Sequence, residues 1–192
     1  MHNENYTTKS INFTFEQATH LYIQLTKILL VVLVIPFFVF HFKLFVHYFS
    51  TFKWMLFLRD FLLLIVSMII GIILHELIHG LTWALFVNGG IRAIKFGFLK
   101  KHLTPYCHCK GYLKVRHYIA GAVMPAIILG ILPTLWAFIN GSIMIFFLGI
   151  YFIVAASGDF LIIFLLRNEN FNSYVKDHES LPGCIVYKKK DA

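Results

Sequence analysis

The stretch from Ser67 to Val87 constrains the fold more than any other: it is built almost wholly of Ile, Leu, Met, Gly and Phe, yet carries His75, Glu76 and His79 at its centre. Extended upstream to Asp60, this apolar run is long enough to cross a bilayer as a tilted helix. Polar groups inside such a helix are expensive. An ionised carboxylate near the bilayer centre costs on the order of 3 kcal/mol, so these residues mark a site with partners. Residues four apart lie one above the other on a helix, which stacks the imidazoles of His75 and His79 on one face, where they can share a metal ion. Zinc suits nitrogen and oxygen ligands in a tetrahedron with water in the fourth position, and it brings that water to a pKa near about 7. Glu76, beside His75 and not needed as a ligand, is the expected general base. The alternative for the same residues is a hydrogen-bonded structural cluster.

The rest of the chain shares this character. Of 192 residues, 59% are hydrophobic and 14% charged, and the mean hydropathy is +0.75, a balance foreign to soluble domains. The expected fold is all-α and integral to the membrane, one domain over residues 1–192, with about four transmembrane helices and a short cytoplasmic β-hairpin-like loop between the second and third. The first helix is expected at about Tyr22 to Phe42 with a kink at Pro36, followed by a headgroup belt from His41 to Trp54. The second runs from about Asp60 to Val87 and stops at Asn88-Gly89-Gly90. The third, Tyr118 to Ile139, contains Gly121, Pro125, Gly130 and Pro133; the fourth spans Ser142 to Leu166. In the loop between the second and third helices, Ile94, Phe96 and Phe98 alternate with Lys95 and Gly97, and Leu113 and Val115 with Lys114 and Arg116. That period predicts two short strands, whose edge could hold an extended peptide.

The net charge of +8 comes from basic residues dispersed around apolar runs, which points to anionic membrane lipids and away from nucleic acid. With four spans, one side receives 14 of the 17 Lys and Arg residues and the other only Lys43, Lys53 and Arg59. Both termini of a multi-pass cell-membrane protein are therefore expected in the cytoplasm. The apolar run after Lys27 lacks a cleavage site and reads as an anchor. The three cysteines read as reduced thiols.

Depth along the helices predicts a third ligand. Asp159 is the other acidic group in an apolar run, about seven residues from its helix end. His79 lies about eight residues, or roughly 12 Å, from the same side, and Pro125 about seven. Convergence at one level gives a His75, His79 and Asp159 set around Zn2+, with Gly158 allowing close helix approach. Pro125 frees the Gly121 carbonyl, a candidate substrate contact. Cys107, His108 and Cys109, with His102 and His117 nearby, form a weaker candidate for a second metal.

His75-Glu76-Leu77-Ile78-His79, Thr104-Pro105-Tyr106-Cys107-His108-Cys109, Pro125, Ser157-Gly158-Asp159-Phe160 and the segment from Asp177-His178 to Gly183-Cys184-Ile185-Val186-Tyr187 together resemble a bacterial membrane family of zincin-type peptidases. That family looks like a compact relative of the site-2 proteases. The resemblance covers the chain from about Asp60 onward. It implies zinc held by His75, His79 and Asp159, Glu76 as catalytic base, and a peptide or membrane-protein substrate. Site-2 proteases usually carry their Asp after Asn-Pro, which this chain lacks. The rival expectations are a catalytically inactive metal-binding membrane protein with a regulatory or interaction role, and a metalloenzyme acting on lipid. The second is disfavoured by the presence of a single clustered His motif.

Overall fold

A computed structural model describes residues 6–99, 104–178 and 181–189. The chain is mostly helical. Thr14 and Gln17 form a capping box that opens α1, Phe15–Leu29. A π-helical turn, Leu30–Val34, carries it into α2, Ile35–Phe40. The short α3, Phe42–Ser50, occupies what the sequence presents as an interfacial belt, with Phe42, Leu44, Val46 and Phe49 exposed. The long α4, Trp54–Ala84, contains 31 residues, about 46 Å at 1.5 Å per residue.

After the loop strands come α5, Val115–Pro125, a second π-helical turn, Ala126–Ile131, and α6, Leu132–Asn140. Both π turns sit just before a proline, Pro36 or Pro133, in the first turn of the resumed helix. A proline nitrogen cannot donate, so the widened turn absorbs the missing bond without breaking the rod. The Ser142 side chain caps α7, Ile143–Ala155, which bends by 43° at Ala156 into α8, Ser157–Leu166. Among the described residues, three helices are long and apolar enough to cross a membrane, and four if the bent α7–α8 pair counts as one.

The expectation of an all-α fold is corrected by two antiparallel sheets. Strands β2, Ile94–Leu99, and β3, Thr104–Cys109, form a hairpin that leans on α4. Gly80 permits that approach, because a Cβ there would run into the Phe96 ring. The expected second strand lies elsewhere: β4, Leu113–Lys114, pairs with β5, Tyr174–Asp177, rather than with β2. Strands β1, Tyr6–Asn12, and β6, Gly183–Lys189, complete a four-stranded sheet in the order β1-β6-β5-β4. Cys109, Leu113, Val115, Val175, Cys184, Val186 and Leu166 are buried where this sheet meets the helix ends.

The sheet gathers the first strand, the loop before α5 and the last strand at one end of the helices. Glu169, buried in the loop after α8, holds it there: Lys9 of β1 lies 2.7 Å from Oε1, and Lys188 of β6 lies 2.7 Å from Oε2 as an ion pair. At the other end, the His41 ring sits 3.0 Å from the Phe138 carbonyl, and Phe37 stacks on Phe146 at 3.9 Å.

Candidate metal centre

The spacing of His75 and His79 on α4 puts both rings on the face turned toward α5 and α8, where they are 8% and 4% exposed. The bend at Ala156 starts α8 so that Asp159, in its first turn, reaches the same point. His75 Nε2 is 3.2 Å from Asp159 Oδ2, His79 Nε2 is 3.3 Å from Asp159 Oδ1, and the two Nε2 atoms are 3.1 Å apart. This is the one group of potential ligands of its kind among the described residues, with all donor atoms within 4.8 Å. His79 lies five residues from the end of α4, nearer the sheet than its sequence position suggests.

The donor set fits zinc. Ligands about 2.0–2.1 Å from a tetrahedral zinc stand about 3.3 Å from one another, close to the three separations found here. The tautomers argue the same way. His79 Nδ1 lies 2.9 Å from the Gly121 carbonyl, which can only accept, so Nδ1 carries a proton. In a neutral ring Nε2 is then a lone pair facing both the Asp159 carboxylate and a second imidazole nitrogen. A cation between them relieves that arrangement, and a proton carried on His75 Nε2 relieves part of it.

Pro125 explains why the Gly121 carbonyl is available. In an unbroken helix it would accept from the nitrogen four residues on, and that nitrogen is proline's. The expected substrate contact is thus corrected: the freed carbonyl orients His79, as outer-shell partners of metal-binding imidazoles commonly do. Trp83, one turn further along α4, stacks on His79 at 5.2 Å and on Tyr118 at 5.1 Å, and its Nε1 donates to the Tyr118 carbonyl. Gly121 leaves room for the indole, which a Cβ would strike. His75 lacks such support; its Nδ1 is buried without a partner. Gly158 does not serve close packing either, since an added Cβ there would meet nothing within 4 Å.

The three residues and Glu76 line a cavity of about 1070 Å³ that opens between the hairpin and the four-stranded sheet. The backbone amide of Cys107, on β3, faces the Glu76 carboxylate. Opposite, Asp177 of β5 is 7% exposed. Its Oδ1 accepts from the Tyr118 hydroxyl at 2.5 Å and its Oδ2 from the Cys109 backbone N–H at 2.7 Å, with His108 Nδ1 at 3.8 Å. Burial raises the Asp177 pKa above the ordinary carboxylate value, against the pull of these hydrogen bonds. Sequence analysis does not single out this carboxylate as a clamp, because it sits in a polar stretch with no spacing signal.

The candidate second metal site does not assemble among the described residues. Cys109 is buried with its Sγ toward the Gly111 carbonyl, His117 stacks on Phe86, and His102 lies outside the described residues. Burial raises the thiols of Cys107 and Cys109, the latter to about 11, which disfavours the thiolate a metal needs.

A family profile described as "Putative zincin peptidase" matches residues 68–174, more than half of the chain. The chain belongs to this family. Its matched region includes the His75–His79 pair, the hairpin and Asp159, and the family's name implies zinc and peptide hydrolysis. No curated protein and no solved structure matches the chain.

Proposed function

We propose that the chain is a membrane-embedded zinc metallopeptidase. The observation that carries this reading is the convergence of His75, His79 and Asp159 at mutual distances suited to zinc, with Glu76 lining the same cavity. Bound there, zinc would acidify a water molecule and polarise the carbonyl of the scissile bond.

The protein's own groups do the rest. Glu76 takes the water's proton as the oxygen attacks the carbonyl carbon, and returns it to the amine as the C–N bond breaks. Gly121 and Trp83 hold the His79 ring at its angle, and Asp159 supplies the negative charge that offsets the cation.

The membrane part of the proposal rests on the helices long and apolar enough to cross and on the gathering of β1, β4 and β6 in one sheet. An even number of crossings returns both termini to the side of the loop before α5, and the excess of basic residues there makes that side cytoplasmic. The metal site then lies a short way into the bilayer from that face.

The test is purification of the full chain in detergent, elemental analysis for zinc, and assay against peptide and membrane-protein substrates. Wild type should carry one zinc and cleave; Glu76→Gln should keep the metal and lose turnover. Stoichiometric zinc with no cleavage dependent on Glu76 would favour a metal-binding regulatory protein instead.

A further inference from the structure

One wall of the cavity is bare. The α7–α8 pair turns Ala155, Gly158, Asp159 and Ile162 to it, at the i, i+3, i+4 and i+7 spacing of a single helical face. Asp159 reaches the two imidazoles, and Ile162 is buried in the core cluster that holds Trp83 and Tyr118. On the other side of Asp159, toward the bend, Ala155 is exposed and Gly158 has no side chain to offer.

The fold does not account for the missing side chain. At Gly71, Gly80, Gly121, Gly130 and Gly149 an added Cβ would strike a side chain of a neighbouring element, whereas at Gly158 it would meet nothing within 4 Å. Nor does the backbone call for glycine: Gly158 is not among the residues of positive φ, and it sits in the first turn of α8, where alanine is the better helix former. A glycine that neither packing nor φ demands, set beside a ligand of the candidate metal centre, keeps space open for something that enters. We propose that Ala155 and Gly158 floor a side-chain subsite next to the metal, which selects a large aliphatic or aromatic residue at the bond presented to Glu76; the inference rests on the metallopeptidase reading.

The chemistry of the wall sets the occupant. From Ile143 to Leu166 the one charged side chain is that of Asp159, and the imidazoles engage it. Ala155 lies about 16 Å along the helix from Leu166, which packs against the sheet. The lysines of the cavity, Lys95, Lys110 and Lys176, sit on or beside strands at that far end. At Ala155 and Gly158 an entering group therefore meets methyl and Cα carbons. A polar side chain would lose its water there without gaining a side-chain partner. A branched or ring side chain gains, because each methylene accepted by an apolar pocket is worth about tenfold or more in selection.

The experiment reads binding, not turnover. Zinc-loaded full chain in neutral detergent is titrated by calorimetry with acetohydroxamate, 4-methylpentanohydroxamate and 3-phenylpropanohydroxamate. Their common head binds zinc, and their tails grow from a methyl to a leucine-like or phenylalanine-like chain. Each ligand is compared between wild type and variant, which cancels partition of its tail into detergent. Gly158→Val should weaken the two long hydroxamates about tenfold or more relative to acetohydroxamate, and Gly158→Ala should weaken them less, with zinc content unchanged by elemental analysis. Ala155→Leu should act in the same direction from the neighbouring turn. Equal ratios of long to short hydroxamate in wild type and all three variants overturn the proposal. So does a preference for long tails that holds in detergent and vanishes in phospholipid nanodiscs, which would give the wall to acyl chains. Tail selectivity that the variants abolish, without Glu76-dependent cleavage by the wild type, would refute the peptidase reading and leave the subsite standing. Cleavage of a proteome-derived peptide library with no large apolar residue favoured beside the cut would do the reverse.

Discussion

Replacing Asp177 with Ala should loosen the hairpin from the body of the protein. Asp177 is the point where three elements meet: β5 provides the carboxylate, β3 the Cys109 N–H and α5 the Tyr118 hydroxyl, at 2.7 and 2.5 Å. Alanine leaves both donors buried and unpaired, at about 1–3 kcal/mol each. Part of this is offset, because burial raises the Asp177 pKa: the folded state holds its proton more tightly than the unfolded chain, so at neutral pH the ionised carboxylate is a cost that disappears with it. A net loss of about 2–4 kcal/mol follows, and at about 2–4 °C per kcal/mol for a chain of this size the Tm falls by about 4–16 °C. Asp177→Asn should lose far less, because the amide oxygen can still accept from Cys109 and the burial cost of the charge is gone. The assay is thermal unfolding in detergent followed by tryptophan fluorescence, with hydrogen exchange at the Cys109 amide as the local readout. An Asp177→Ala protein with wild-type Tm and an unchanged Cys109 amide would refute the clamp.

Gly121→Val should disturb the metal site without touching a ligand, because its side chain collides with the Trp83 indole stacked on His79; zinc affinity should fall about 10–100-fold, as for other losses of outer-shell support, and zinc competition with a chelator measures it. Glu169 gives the fold an acid-sensitive joint. Burial alone would raise its pKa, but Lys188 and Lys9 outweigh that and hold it below the ordinary value, so its contribution is present above the unfolded pKa and is lost as pH falls through the folded one. Tm should drop on acidification below about pH 4.5, and Glu169→Gln should flatten that dependence. Cys184 has its thiol pushed up to about 12 and Cys109 to about 11, chiefly by burial; mass spectrometry should find neither alkylated by iodoacetamide at pH 8 in the folded protein.

The helices are legible because apolar side chains run along them without interruption, and their kinks because proline marks them. Their exact ends are not: α4 begins at Trp54, earlier than the charged pair Arg59-Asp60 suggests, since an apolar helix continues until its backbone finds other partners. The four-stranded sheet escapes a local reading. In β1 only Ile11 is buried, and β1 pairs with β6 from the opposite end of the chain, so no nearby period announces either strand. Thr104–Cys109 hides its strand behind Pro105, which a strand with only one ladder partner tolerates at a position paired with Phe98.

The candidate metal centre shows where such reasoning stops. His75, His79 and Asp159 stand out because each is polar in an apolar run, and lining up helix depths brings them to one level, which the structure reproduces to within hydrogen-bond distance. Pro125 likewise announces a free carbonyl four residues earlier. What receives that carbonyl depends on the rotamer of His79, and the rotamer depends on Trp83 and on the missing side chain at Gly121. Sequence can count the hydrogen-bonding groups that a proline frees. Which partner takes them is decided by tertiary packing, and here that partner is an imidazole whose other nitrogen faces Asp159.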